Sequence, residues 1–249
     1  MSQRCTSSRD GAASVCTERC VRHDGHGSGE YPASPPETSV SRDDFDFSCD
    51  SAEVCVVFLT TAQGRYSIAL AISAEDREAA FAMRYQEYCH VIRAFDPENF
   101  PDKLESDRFD EEAILFVGTM DDDRVGTIRL AFENLGQFPM ETGKEGVALP
   151  DWLPRRTTCE PSRLVGRIIE DSKQGVIQQS LLLIEAAFRW SMAHNITHWV
   201  CNLQTKYYHF LKQVGWPFIV LGPAQTYYNT NITPVALVLR EVYEKVYAK

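Results

Sequence analysis

The chain is organised around EPSRLVGRIIEDSKQGVIQQSLLLIEAAFRW, which spans Glu160 to Trp190. Its first part, Ser162 to Ile169, is rich in β-branched and apolar residues and is typical of a strand, although it carries Arg163 and Arg167. A polar turn with one glycine follows, and from Val176 the apolar residues recur at helical spacing. The apolar stripe of this helix contains Ile177, Leu181, Ile184 and Phe188. The stretch therefore predicts a strand, a short turn and a largely buried helix.

The turn between this strand and this helix is a candidate site. The first backbone N–H groups of a helix have no partner within it, and with the helix dipole they suit an anion or a polarised carbonyl. An ordinary strand-to-helix crossover has the same pattern. The turn alone therefore does not distinguish a binding site from a structural connection.

Length, charge and cysteine content limit the class of protein. The 249 residues fit one domain of about 200 residues and a tail. The net charge of −10 argues against a broad nucleic-acid interface. No run of 18 apolar residues and no signal-peptide core occur, so we expect a cytoplasmic protein without stable membrane insertion. Five of the eight cysteines lie irregularly in the first 55 residues, which favours reduced thiols.

The N-terminal segment differs in composition from the rest of the chain. Residues 1–50 are rich in Ser, Gly, Pro and charge, so they cannot bury enough apolar area to offset the entropy of ordering. We expect a disordered tail over 1–50 and one domain over 51–249. Two Cys and two His of the tail have a spacing that fits no common zinc pattern, so we expect no metal. These four residues are Cys16, Cys20, His23 and His26.

Before the central stretch, the pattern predicts two strands, a helix and a hairpin. Ser73 is a good N-cap for the helix, which should run to about Ile92. The predicted strands are Glu53 to Thr60, Arg65 to Ile72, Ala113 to Thr119 and Arg124 to Phe132.

After the central stretch, strands and helices continue to alternate. Thr233 as N-cap and Pro234 at the first helical position predict a closing helix to about Tyr247. The other predicted elements are a strand at Thr197 to Leu203, a helix at Lys206 to Val214, and strands at Trp216 to Leu221 and Ala224 to Tyr228. The chain is therefore expected to form a mixed α/β sheet with helices on both faces.

Charged residues occur at positions that the pattern assigns to the interior. Arg84 lies on the apolar side of its helix, where a guanidinium needs a carboxylate or a ligand, unless it extends out to water. Arg129 shares a strand face with small residues, and apolar residues interrupt the acidic loop before the hairpin. The whole set is Arg84, Arg129, Arg163, Glu105, Asp107, Asp110 and Glu160. Such a set forms either a site or a structural network of paired charges.

The order and spacing of these charges resemble one family. RYQEY (Arg84 to Tyr88), ESDRFD (Glu105 to Asp110), VGTIRL (Val125 to Leu130) and EPSR (Glu160 to Arg163) are similar to the signature of acyl-homoserine-lactone synthases and their relatives in the GNAT acyltransferase superfamily. A narrower similarity, over about Arg65 to Tyr228, is to long-chain N-acyl amino acid synthases and exosortase-associated N-acyltransferases. Its motifs are RYQEYCHV, FPDKLESDRFD, FPME, ITHWV and FIVLGP. The resemblance implies a GNAT-like mixed, mostly antiparallel central sheet.

The resemblance also implies a reaction. It is the transfer of a fatty acyl group from acyl carrier protein to the α-amine of an amino acid, with no bound cofactor. The donor would be a 4'-phosphopantetheine thioester on the carrier protein. We expect Glu160 to act as general base. The other expected residues are Arg84, Tyr88, Asp107, Asp110, Arg129 and Arg163 at the acceptor, Gln174, Gly175, Val176 and Ile177 at the acyl and pantetheine group, and Arg155, Arg156, Arg167 and Lys173 at the carrier-protein surface.

One departure and one set of aromatics bear on the substrates. Coenzyme A-dependent GNAT enzymes usually have a Q/R-x-x-G-x-G/A loop, whereas this turn has Gly175 alone, which favours a carrier-protein donor. Aromatics expected near the pocket suggest tyrosine as acceptor, with Arg129 on its carboxylate. They are Tyr88, Trp199, Tyr207, Tyr208, Trp216, Tyr227 and Tyr228. Two alternatives remain open, an acyl-homoserine-lactone synthase that uses S-adenosylmethionine and a non-catalytic module that binds acyl carrier protein.

Overall fold

A computed structural model describes residues 45–48, 56–61, 64–142, 146–166, 173–227 and 230–248. The Cys and His residues of the tail lie outside this part of the chain. Within it, no group of three or more His, Cys, Asp and Glu has the geometry of a metal site. No helix of these residues is both long and apolar enough to cross a membrane.

Ten strands of the described residues form one sheet. In chain order they are β1 Phe45–Ser48, β2 Val56–Thr61, β3 Gly64–Leu70, β4 Ile114–Met120, β5 Asp123–Ala131, β6 Thr158–Gly166, β7 His198–Gln204, β8 Ile219–Val220, β9 Gln225–Tyr227 and β10 Thr230–Val238. Strands β1 to β6 pair antiparallel in sequence order, and β6 pairs parallel with β7. Strand β10 then lies antiparallel to β7, β8 and β9. This confirms the mixed, mostly antiparallel sheet.

The helices occupy both faces of this sheet, as expected. They are α1 Ala74–Tyr85, α2 Lys173–Ala193, α3 Thr205–Gln213 and α4 Leu239–Val242, with π-helical turns at Gln86–Val91 and Tyr243–Tyr247 and 3-10 turns at Pro97–Asn99, Pro139–Glu141 and Arg155–Thr157. Alternate residues of β4 face opposite ways. Leu115 and Val117 pack with α1, whereas Phe116 packs in the larger core with α2.

Helix α1 begins where the sequence predicts. Ser73 Oγ accepts a hydrogen bond from the Asp76 backbone N–H at 3.0 Å, which satisfies one free donor of the first turn. The helix continues beyond Tyr85 as a π-helical turn to Val91, so its far end lies close to the expected Ile92.

The predicted closing helix from Thr233 is wrong, because Thr230–Val238 forms strand β10 and helix α4 begins only at Leu239. Long-range pairing overrides the local Thr-Pro helix-start signal, since the apolar run after Pro234 is buried between neighbouring strands. The Pro234 carbonyl accepts from the Leu221 N–H at 2.9 Å on the β8 side. The missing proline N–H therefore faces the end of the short strand β8 and removes no bond to β7.

Three further boundaries differ from the prediction. Strand β1 at Phe45–Ser48 is not predicted by the sequence, because the alternation of Phe45 and Phe47 with polar residues covers only four positions. The central strand begins at Thr158, so Glu160 lies within it. Helix α2 begins at Lys173, three residues before the expected start.

Candidate active site

A cavity opens where the two central strands separate. Within the described residues, strands β6 and β7 pair only at Thr158–His198 and Cys159–Trp199. Beyond these pairs β6 stays paired with β5, and β7 stays paired with β10. Among the described residues, no further backbone hydrogen bonds therefore join the two halves of the sheet. A cavity of about 400 Å³ occupies this opening, lined by residues 160–166 of β6 and 201–204 of β7.

Glu160 lies in this cavity just past the last shared pair. It is 4 % exposed, and its Oε2 accepts the Met140 backbone N–H at 2.8 Å. Burial raises the pKa of the Glu160 carboxyl to about 8, although the Met140 hydrogen bond and the charges of Arg129 and Arg163 act in the opposite direction. A carboxylate of this kind is a stronger base than an exposed one and can take a proton from an amine.

The Met140 donor comes from the long excursion between β5 and β6. The 3-10 turn at Pro139–Glu141 leaves its first N–H groups without partners inside the turn, and one of them reaches Glu160. Arg155 anchors this turn with ion pairs to Glu133 at 3.0 Å and Glu141 at 2.6 Å. Sequence reasoning missed this donor. The Pro in FPME was the signal for a turn start, but nothing local indicated its partner.

A network of paired charges lies beside Glu160. Arg84 contacts both carboxylate oxygens of Asp110, at 2.6 and 2.8 Å, and its Nε donates to Glu105 at 2.6 Å. Burial alone would raise the pKa of Asp110, but the hydrogen bond and charge of Arg84 hold it well below its usual range. Glu105 behaves likewise, because the charges of Arg163 and Arg84 outweigh burial and lower its pKa.

The two other arginines of the network come from β5 and β6. Arg129 contacts Asp107 at 2.7 Å and Asp110 at 3.1 Å, and its Nε donates to Ser162 Oγ at 3.0 Å. Arg163 contacts Glu105 at 3.1 Å and Asp107 at 3.2 Å. Three arginines thus face three carboxylates, so the network is balanced and Glu160 has no ion pair within the described residues.

Arg163 is placed by a bulge in β6. The register between β5 and β6 shifts at this point, and Arg163 has a positive φ of 53°. Such a conformation costs about 1–3 kcal/mol in a non-glycine residue and recurs near functional sites. The guanidinium lies 5.3 Å from the Tyr88 ring centroid and 4.9 Å from that of Phe95. Arg163, Tyr88 and Phe95 all line the cavity.

The expected acceptor residues therefore divide into two groups. Tyr88 and Arg163 line the cavity, whereas Arg84 and Arg129 are fully buried and Asp110 is 3 % exposed. Asp107 is partly buried and pairs with Arg129 and Arg163. The Arg129 guanidinium contacts Asp107, Asp110 and Ser162, and its Nη2 is buried without a hydrogen-bond partner within the described residues. Its contact with the acceptor carboxylate stays a prediction.

The expected aromatics also divide into those that line the cavity and those that do not. Tyr88, Trp199, Tyr207, Trp216 and Tyr227 line the cavity. Tyr208 packs against Phe218 with 5.5 Å between ring centroids and is not part of the cavity wall, and Tyr228 lies outside the described residues.

The acyl-donor residues are only partly described. Helix α2 begins at Lys173, so the backbone N–H groups of Gln174, Gly175 and Val176 belong to its first turn, where helices leave donors free. The side chains of Lys173 to Ile177, and all of Arg167, lie outside the described residues. Arg156 is exposed. Arg155 is ion-paired with Glu133 and Glu141, and its assignment to the carrier-protein surface stays a prediction.

Comparisons with known proteins show a shared fold. The crystal structure of the acyl-homoserine-lactone synthase LasI is 15 % identical, with a TM-score of 0.60 over 74 % of this chain and 96 % of that chain. The structure of FeeM, an N-acyl amino acid synthase from uncultured soil microbes, is also 15 % identical, with a TM-score of 0.56 over 75 % of this chain and 97 % of that chain. The acyl-homoserine-lactone synthase BjaI, solved with SAM and isopentyl-CoA, is 18 % identical, with a TM-score of 0.52 over 69 % and 82 %.

These structures establish only the shared fold, whereas a match to a family model also identifies the family. No curated protein matches the chain significantly. The model of the N-acyl amino acid synthase FeeM matches residues 79–240, which is more than half of the chain and includes all the charged motifs. The protein is therefore an acyltransferase that belongs to the FeeM family of N-acyl amino acid synthases.

Proposed function

We propose that the protein transfers a long-chain fatty acyl group from acyl carrier protein to the α-amine of a free amino acid, with tyrosine as the first acceptor to test. The observation that carries this proposal is Glu160, a buried carboxylate without an ion pair in a cavity between separated strands. The network beside it pairs three arginines with three carboxylates and leaves Glu160 without a cation of its own. A group that brings positive charge, such as the ammonium of an amino acid, would compensate Glu160.

The residues of the cavity support a direct acyl transfer. An ammonium that binds beside Glu160 loses one proton to this carboxylate, and the free amine attacks the thioester carbonyl. The new C–N bond forms as the C–S bond breaks, and the pantetheine sulfur leaves as a thiolate that is then protonated. We assign the stabilisation of the oxyanion to the backbone N–H groups at the start of α2, where helices leave donors free. Glu160 releases the first proton to solvent before the attack, takes the second proton as the attacking nitrogen becomes an amide, and so supplies the proton that neutralises the thiolate.

The remaining cavity wall suits the acyl chain. Apolar side chains from β5, α2, α3 and β10 line it, and a fatty chain gains free energy by leaving water against such a surface. They include Ile128, Ile184, Leu211, Phe218, Ile232 and Leu237.

The identity of the acceptor is tested by competition. Purified protein receives a long-chain acyl carrier protein together with S-adenosylmethionine and the twenty amino acids at equal concentration, and mass spectrometry identifies the products. We expect an N-acyl amino acid. Acyl-homoserine lactone as the main product would refute the free-amino-acid acceptor, and a product without an aromatic ring would refute tyrosine only. No acylated product would favour the non-catalytic module.

The role of Glu160 is tested by Glu160→Gln, which retains an oxygen for the Met140 N–H but cannot take a proton. We expect turnover to fall by about 100-fold or more, with little change in the free energy of unfolding. Glu111→Gln, at an exposed position, is the matched control and should be fully active. Full activity of Glu160→Gln would exclude this residue as the base.

A further inference from the structure

One carboxylate in the cavity wall has no part in the mechanism above. Glu87 lines the cavity beside Tyr88, Ile92 and Phe95. It is partly buried, and burial raises the pKa of its carboxyl. Within the described residues its side chain has no hydrogen bond or ion pair, unlike the three carboxylates of the network. An unpaired carboxylate in a desolvated position is costly until a donor reaches it.

The backbone brings this residue into the wall. Helix α1 widens into a π-helical turn at Gln86–Val91, and the Ile92 N–H donates to the Glu87 carbonyl at 2.8 Å. This five-residue step aligns Glu87 with Ile92, whereas an ordinary α-helix would align it with Val91. Val91 is 69 % exposed, and Ile92 lines the cavity. The turn thus places a charged residue on a face that is otherwise apolar.

This part of the wall lies on the Arg163 side of the cavity. The Tyr88 hydroxyl donates to the Leu164 carbonyl at 3.4 Å, which joins the π-helical turn to strand β6. The Tyr88 ring also packs under the Arg163 guanidinium, three residues along β6 from Glu160. Glu160 and this wall line the same cavity, so an amino acid whose amine lies at Glu160 has its side chain in a cavity that Glu87 also lines.

We propose that Glu87 is a specificity-determining residue that accepts a hydrogen bond from the side chain of the acceptor, so that the preferred acceptor ends in a phenol, hydroxyl or amine. This inference rests on the proposed function. An apolar side chain would leave the Glu87 carboxylate desolvated and unpaired. Sites built to bind a donor reject the analogue that lacks it, so we expect a preference of about 10- to 100-fold in kcat/KM.

Matched pairs of acceptors test this inference. Tyrosine with phenylalanine, lysine with norleucine and serine with alanine differ mainly in the side-chain donor. For the wild type, kcat/KM should favour the donor-bearing member of at least one pair. Glu87→Leu should bring that ratio to within about threefold of unity by improving the apolar member. Glu78→Leu changes an exposed glutamate of the same helix and should leave every ratio unchanged.

Several outcomes would overturn the inference. A wild type without preference in any pair, or a Glu87→Leu variant with the wild-type ratio, contradicts it. A loss of thermal stability with unchanged ratios would make Glu87 structural. If Glu87→Leu does not fold, Glu87→Gln takes its place, and its preference for a cationic amine over norleucine should fall by about tenfold.

The proposed function can fail separately. If the wild type forms no product from any acceptor, the transfer itself is refuted. Calorimetric binding of the same pairs to wild type and Glu87→Leu then tests the residue on its own. Equal affinities within every pair would reject Glu87 as a selector.

Discussion

At the scale of single residues, the protonation of Glu160 controls the predicted activity. Its pKa is raised to about 8, so the carboxylate that accepts a proton becomes populated as the pH rises through that value. We therefore expect kcat/KM to increase with pH up to about 8 and then to level off. In Glu160→Gln this rise in kcat/KM should disappear, and only the titration of the acceptor amine should remain. A rise in kcat/KM at the same pH in both proteins would show that another group titrates.

Arg84 is predicted to act through stability. Its replacement by Met would leave Asp110 and Glu105 buried without their main partner, which typically costs about 3–5 kcal/mol. Arg240→Met, which breaks an exposed pair with Glu244, should cost less than about 1 kcal/mol. Urea unfolding measures both changes. The folded fraction of Arg84→Met should keep its KM for the acceptor, and a large rise in KM with normal stability would instead indicate acceptor contact.

At the scale of elements, close contact between β3 and β4 limits the residue at position 118. A Cβ added to Gly118 would collide with the Tyr66 hydroxyl, which is buried and has no hydrogen-bond partner within the described residues. Gly118→Ala should therefore lower the free energy of unfolding by about 1–3 kcal/mol. Gly222→Ala, where the added Cβ meets only an ordinary contact with Pro234, is the control. Equal stability of the two variants in thermal melts would contradict this packing argument.

The separation of β6 and β7 is the element-scale feature on which the site depends. Two shared residue pairs hold the strands together at Cys159, and the next residue is Glu160. The base therefore sits at a fixed backbone position while the cavity beyond it remains wide. Rigid strands hold a catalytic group more precisely than loops do.

At the scale of the whole molecule, the net charge of −10 opposes an acidic acyl carrier protein, so docking requires a local basic surface. Arg156 is exposed and available, whereas Arg155 is neutralised by Glu133 and Glu141. Acylation from carrier protein should weaken steeply between low and high salt. Acylation from a short pantetheine thioester should be insensitive to salt, and acylation from acyl-CoA should be poor throughout. Equal efficiency with acyl-CoA would contradict the carrier-protein donor.

The sequence by itself determined the features that depend on local pattern. The Ser73 cap, the central strand followed by a helix, and the mixed sheet follow from residues within one or two turns of each other. The charged motifs likewise indicated the family, because each motif is a short run of residues that is recognisable in the sequence. These features were predictable since their causes lie close together in sequence.

The tertiary structure decided the features that depend on distant partners. The Thr-Pro signal at 233 suggested a helix, but pairing with β7 makes it a strand. Arg129 and Arg163 look alike in sequence, yet one is fully buried and the other reaches the cavity through a bulge. Glu160 meets the Met140 N–H from 20 residues away, and a π-helical turn brings Glu87 into the wall. Burial and hydrogen-bond partners are set by long-range packing, which no local pattern specifies.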